Sequence, residues 1–289
     1  MKIAIPTNNV GNTNEVPKRS QNSIYCRYVK NAGFNPILIP MEAEANEVAE
    51  MCDGLLLAGG IDIDPLYYGF SNSFSIGVDP EKDQAERELF HAFRERGKSV
   101  FGICRGFQLI FRELLDAHEN KNNYEKIFDY MENIDGHSQN GALNVPRRFP
   151  SHQVMSNVNS LYSENLEDDP FQLIAVNSMH HQAVTVDYIR GTKMIDPEMA
   201  ASKDFPIDQP YLLDFYDVEL VAWSLRGVKR PTKNKKPDYD NYWAIVEAAR
   251  IHNWGGAIMG VQWHPEELND VAIIKNFFKE SDDVFVEEV

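Results

Sequence analysis

KSVFGICRGFQLIFRELLDAH (98–118) decides how the rest of this chain is read. KSVFGIC (98–104) is an apolar run of strand length, and it passes without a linker into RGFQLIFRELLDAH (105–118), which reads as a helix. At the junction, G-I-C-R-G (102–106) sets a cysteine on a sharp strand-to-helix turn. Glycines stand two residues to either side, where a Cβ would clash, and this is the sequence form of a nucleophile elbow. A thiol placed there gains three advantages. The helix N-terminus favours its thiolate. The carboxyl edge of the sheet, where open α/β folds bind ligands, presents it to solvent. The backbone N–H of Arg105 is placed to face an oxyanion. A free cysteine is more often a packed core residue; the flanking glycines reverse that for Cys104, whereas Cys26 and Cys52 lack such a setting and read as core.

A thiolate nucleophile needs a base, and the base needs a group to orient it. V-Q-W-H-P-E (261–266) offers both at the end of a second apolar strand: His264 follows the strand, Pro265 turns the chain, and Glu266 returns toward the imidazole. Upstream, KIAIPT (2–7), PILIP (36–40) and GLLLAGG (54–60) read as strands. SIYCRYVKNAG (23–33), ANEVAEMC (45–52) and DQAERELFHAFRERG (83–97) read as helices between them. This alternation of apolar strands and helices predicts an α/β fold, a central, mostly parallel sheet with helices on both faces. Residues 119–150 are polar and predict loop with one short helix over NNYEKIFDYM. HQVMSNV, FQLIAVNS and VELVAWS suggest a small antiparallel β extension, and AIVEAARI (244–251) with AIMGVQWH (257–264) reads as a hairpin about HNWGG. Neither a repeat nor a low-complexity linker interrupts the chain, so residues 1–289 are expected to form one domain.

The bulk properties narrow the function classes. A formal net charge of −16 disfavours a nucleic-acid partner, because the surface field repels phosphates. The chain carries no apolar run near the length of a membrane span, and MKIAIPTNNV reads as a first strand rather than a leader, so a cytoplasmic protein with no membrane partner is expected. Three scattered cysteines suit a reducing compartment and supply neither a disulfide framework nor a zinc cluster. The basic run RGVKRPTKNKK (226–236) reads as a solvated loop.

Taken together, GICRGFQ and GVQWHPE resemble the class I glutamine amidotransferase (flavodoxin-like) family. The nearer likeness is to its peptidase C26 branch, the γ-glutamyl-γ-aminobutyrate hydrolase-like proteins. LLLAGGIDIDPLYYG (55–69), DPEKDQAE (79–86) and VNSMHHQAV (176–184) resemble further motifs of that branch, in family order. The resemblance implies that Cys104 attacks the γ-carbonyl of glutamine or a γ-glutamyl amine and forms a thioester. His264 and Glu266 complete the triad, and water activated by His264 releases glutamate. It further implies an oxyanion hole from the N–H groups of Gly60 and Arg105, and a grip on the glutamyl ends by Gln108 and the Asn177–Ser178–His180 loop, with His181 beside the site. Gln108, one turn past Cys104, is either a ligand contact or a packed side chain. Asp62 and Asp64 could pass for metal ligands, but the resemblance makes them loop residues, so no metal and no cofactor are expected.

Two stretches depart from the family pattern: residues after FQLI, and a connection of roughly sixty residues at about 185–243 where the branch has a short one. An insertion of that size belongs in a surface loop, as a lid, a docking element or a solvated ornament. Three functions remain open: a stand-alone hydrolase of small γ-glutamyl amides, a glutaminase feeding ammonia to a separate synthetase partner, and a binding protein. The intact triad argues against the last. Family members also often form homodimers.

Overall fold

In the computed structural model the described residues are 1–10, 18–68, 75–117, 128–133, 137–139, 145–163, 170–187, 218–226 and 243–284. Five strands form the parallel part of one sheet, in the order β4 (Asn35–Ile39), β1 (Lys2–Pro6), β5 (Gly54–Leu57), β6 (Ser99–Ile103) and β13 (Ile258–Val261). Strands β5, β6 and β13 are buried at every position, as strands covered on both faces must be. Side chains alternate between faces, and the core divides accordingly. Leu55, Leu57 and Val100 pack toward α2 (Ala45–Met51), α3 (Pro80–Glu95) and α4 (Arg105–Ala117), meeting Val48, Phe90, Phe93 and Phe107. Leu56, Phe101 and Ile103 point the other way, toward α1 (Ser23–Asn31) and α7 (Val271–Val284), meeting Tyr28, Val29, Phe277 and Phe278. The expected α/β architecture with helices on both faces is therefore the observed one.

Beyond β13 the sheet continues antiparallel through β12 (Trp243–Ile251), β11 (Val218–Arg226), β8 (His152–Asn157) and β9 (Phe171–Val176). The one-turn helix α5 (Val158–Tyr162), capped by Asn157, follows β8, and a separate ribbon pairs β2 (Asn8–Val10) with β3 (Lys18–Ser20). The hairpin expected about HNWGG is present, with Asn253 and Gly255 at positive φ in its turn. VELVAWS, assigned to the insertion, is an inner strand of this sheet: β11 lies between β12 and β8, and Val221, Ala222 and Trp223 are buried. The rest of that connection, 188–217 and 227–242, and with it most of the basic run, lies outside the described residues.

One boundary and one element differ from the sequence reading. Helix α3 starts at Pro80 rather than at 83, because Asp79 caps it by accepting from the Lys82 N–H (3.2 Å) and Pro80 suits the first helical position. The short helix expected over NNYEKIFDYM is absent where that stretch is described: β7 (Phe128–Asn133) pairs antiparallel with β10 (Gln182–Asp187), which also pairs with β12. Residues 122–127 of it lie outside the described residues. The tertiary pairing of β7 outweighs local helix propensity.

Candidate active site

Strands β5, β6 and β13 end in register, with Leu57 opposite Gly102 and Val261 opposite Ile103. Gly59–Gly60, Cys104 and His264 thus leave the sheet at one edge, although some two hundred residues separate the first from the last. Cys104 has φ +51, in the left-handed region that a side chain enters at a cost of about 1–2 kcal/mol. Its N–H donates to Val261 O (2.8 Å), fastening the turn to β13. An ideal Cβ on Gly102 would lie 2.7 Å from the Phe107 nitrogen, and one on Gly106 would lie 2.1 Å from Leu57 O. Both glycines of the elbow are there because nothing larger fits.

His264 is held from three sides. Asn177 clamps its backbone, with Oδ1 accepting the His264 N–H (2.9 Å) and Nδ2 donating to His264 O (3.0 Å). Pro265 opens the short helix α6 (Pro265–Leu268), and in its first turn Glu266 accepts from His264 Nδ1 at 2.6 Å. The ring lies beside the Cys104 side chain, both of them bordering Gly59. The site is tight: an ideal Cβ on Gly59 would sit 2.7 Å from His264 Cε1 and 3.6 Å from Cys104 Cβ. Burial works to lower the imidazole pKa, but Glu266 and then Cys104 outweigh it and push it up to about 10. An ordinary imidazole titrates near 6.5, so stability supplied by this proton is fully present below about pH 6.5 and is lost as pH rises through about 10. The His264 ring resonances are expected to keep their imidazolium positions from pH 6 to 9 in an NMR titration. A midpoint near the free value would refute that.

The wall around the thiol comes from residues that lie far apart in sequence. Gln262 Nε2 donates to Cys104 Sγ (3.6 Å), and Gln108 Nε2 donates to Gln262 Oε1 (3.3 Å) and Gln182 O (2.9 Å). Tyr25 OH accepts from the Gly59 N–H (3.1 Å), and burial keeps its phenol far above its usual pKa. The N–H groups of Gly60 and Arg105 have no acceptor among the described residues. Of the loop expected to hold substrate, Asn177 is committed to His264 and Arg147 O, and Ser178 Oγ donates to His137 O (2.6 Å). His180 Nδ1 donates to Gln182 O (3.1 Å), and burial pushes its pKa down to about 3, so the ring is neutral. His181 is part-exposed and reaches Asp62 Oδ2 at 3.1 Å.

Behind the elbow lies a group the sequence reading did not assemble. The Arg105 guanidinium pairs with Asp83 and Glu86, Lys82 pairs with Glu86, and all four side chains are buried. Asp83 also accepts the Asp64 N–H (2.9 Å), and Gly60 packs against Arg105 and Lys82. The cluster therefore braces both the residue after the nucleophile and the 59–64 loop. The signal in the sequence was the acids at 83 and 86 on one helical face, but nothing local tied them to Arg105. Tyr25 and Gln262 carried no local signal at all.

Comparison with known proteins identifies the family and the fold. The peptidase C26 family model matches residues 3–195. A glutamine amidotransferase-like protein of Rickettsia prowazekii is 26% identical over 284 residues, covering 86% of this chain and 83% of its own length. A γ-glutamyl-γ-aminobutyrate hydrolase of Escherichia coli O157:H7 is 27% identical over 248 residues, with 84% and 76% covered. A glutamine amidotransferase-like protein of Lactococcus lactis is 27% identical over 158 residues, 54% of this chain, which spans only 61% of that relative. Among solved structures, a GMP synthase protein from Thermoplasma acidophilum superposes with TM-score 0.50 at 14% identity, covering 100% of this chain and 97% of its own. The glutaminase domain of Trypanosoma brucei CTPS with bound acivicin gives TM-score 0.52 at 13% identity, covering 98% and 94%. These two likenesses establish the fold alone. No helix among the described residues is long and apolar enough to cross a membrane.

Proposed function

This chain belongs to the peptidase C26 family, and on that premise we propose that it is a cysteine-dependent hydrolase of γ-glutamyl amide bonds, with Cys104, His264 and Glu266 as its triad. One observation carries the reading: a cysteine at φ +51 on a glycine-flanked elbow, beside an imidazole that a carboxylate grips at 2.6 Å. The thiolate attacks the γ-carbonyl, and the carbonyl electrons move onto oxygen, where the Gly60 and Arg105 N–H groups receive them. His264, carrying its proton, delivers it to the departing nitrogen as the C–N bond breaks and the thioester remains. The neutral ring then takes a proton from water, hydroxide adds to the thioester, and the C–S bond breaks to release glutamate and restore the thiolate–imidazolium pair. Glu266 orients the ring throughout and stabilises its charged form.

Gln108, Gln262 and His181 are the polar groups we assign to the glutamyl end of the substrate. Ser178 and His180 shape the same wall from behind, and Asn177 acts by holding His264. The likeness to a γ-glutamyl-γ-aminobutyrate hydrolase supports a small γ-glutamyl amine as substrate. The test is glutamate release by the purified chain alone, from glutamine and from a series of γ-glutamyl amines. Turnover of the amines with indifference to glutamine is expected. Silence toward both would overturn the stand-alone reading in favour of a glutaminase that needs a synthetase partner.

A further inference from the structure

A second polar cluster lies one strand beyond the triad, and the chemistry proposed above does not use it. Glu247, in the middle of β12, is completely buried. One carboxylate oxygen accepts from Ser224 Oγ (2.7 Å) and faces His152 Nε2 (3.0 Å); the other has no partner among the described residues. His152, at the start of β8, has a buried Nδ1 that is likewise unpartnered. His137 joins from its own loop, its ring 4.7 Å from that of His152 and 5.0 Å from that of His180. One ligand atom from each of His137, His152 and Glu247 lies within 4.8 Å of the other two. His180, 4% exposed, adds a ring nitrogen, Nε2, that is buried and bare.

We propose that His137, His152 and Glu247 form a binding site for one transition-metal dication of the zinc type. Two imidazoles and one carboxylate are the donor set that borderline ions such as Zn2+ accept, with a fourth position left for water or a further imidazole. Ligand bonds of about 2.0–2.2 Å place neighbouring donors roughly 3.3 Å apart in a tetrahedron. The 3.0 Å pair already meets that spacing, and the wider spans close with small rotations of the imidazoles. An ion there supplies the positive charge that a carboxylate with an unpartnered buried oxygen lacks. It takes the place of the hydrogen between His152 Nε2 and Glu247, and the neutral imidazole changes tautomer to carry its proton on the unpartnered Nδ1. Both histidines are only part-buried, so the ion has a way in.

The site has a structural consequence that reaches the triad. His137 O accepts from both Ser178 Oγ (2.6 Å) and the His180 N–H (3.1 Å), so an ion on His137 ties the 177–180 loop to β8 and β12. On the far side Glu247 O accepts the N–H of Gln262 (2.6 Å), whose side chain touches the Cys104 sulfur. No metal was expected from the sequence, where Asp62 and Asp64 were the ligands considered and were set aside as loop residues. These three come from positions 137, 152 and 247.

The test uses the full chain carrying Cys104→Ala, so that the nucleophile cannot itself hold an ion. The protein is stripped with a chelator and titrated with Zn2+ by calorimetry, and with Co2+ by visible absorption. One equivalent of Zn2+, a raised melting temperature and tetrahedral or five-coordinate Co2+ bands are expected. Glu247→Gln, which keeps the shape and an acceptor for Ser224, and separately His152→Asn should each weaken Zn2+ binding at least 100-fold. Absence of Zn2+ and Co2+ binding, or affinity unchanged in whichever of the two variants folds, would overturn the site and leave a plain histidine–glutamate hydrogen bond. Neither result depends on whether the chain cleaves γ-glutamyl amides.

Discussion

Replacing Cys104 with alanine is expected to lower the steady-state rate of glutamate release by about 10⁴-fold or more, because residues acting as one covalent unit fail together when the nucleophile is lost. The fold should survive, since the elbow is fixed by backbone geometry: the Cys104 N–H to Val261 O bond and the packing of Gly102 and Gly106 remain. Acid quenching of the wild-type reaction should trap a γ-glutamyl mass on the protein, and the alanine variant should show none. A companion change separates chemistry from strain. Cys104→Gly is expected to be equally inactive yet more stable than Cys104→Ala by up to about 1 kcal/mol, because glycine occupies φ +51 without the clash a Cβ suffers. Stability follows from denaturant midpoints, and activity from glutamate release. Turnover persisting in Cys104→Ala at anything near the wild-type rate would remove the nucleophile assignment, and with it the thioester.

The elbow was legible because everything that defines it lies within five residues. A buried strand, a helix start and two obligatory glycines are all local, and GICRG states them together. The meeting of Cys104 with His264 follows from one further inference, that two apolar strands lie side by side in a parallel sheet and end level. What stayed hidden is of another kind. The pairing of Arg105 with Asp83 and Glu86 spans about twenty residues, and that of Gln262 with Cys104 spans 158. Spacing along the chain carries no trace of such contacts. Asn177 was singled out by its motif, yet the motif does not say that its amide is spent on the backbone of His264. Phe128–Asn133 failed for the converse reason: its local preference was readable but was overruled by a partner strand fifty residues away. Val218–Arg226 was correctly read as β structure, but its inner place in the sheet depends on β12 and β8, which lie on opposite sides of it in sequence.

The largest stability effect is expected at Gly106. A Cβ there would lie 2.1 Å from Leu57 O, 2.6 Å from Leu57 C and 2.7 Å from Leu57 Cβ. Leu57 ends β5, a fully buried strand held between β1 and β6, so the obstacle is backbone that cannot rotate aside as a side chain would. Gly106→Ala must therefore push α4 away from the sheet or distort the elbow, and either costs about 3 kcal/mol or more, the upper range for overpacking. Gly33→Ala is the instructive control. Gly33 has φ +93, but nothing lies within 4 Å of its Cβ position, so its substitution carries only the conformational penalty of about 1 kcal/mol. Equilibrium denaturation of the two variants should rank Gly106→Ala well below Gly33→Ala. Any Gly106→Ala protein that does fold should lose roughly 100-fold in turnover, since an ångström of displacement at a reacting sulfur costs that much. Equal midpoints for the two variants would mean that α4 can slide on β5. Cys104 would then not be rigidly placed, and the close packing of thiol, imidazole and Gly59 could not be what organises the chemistry.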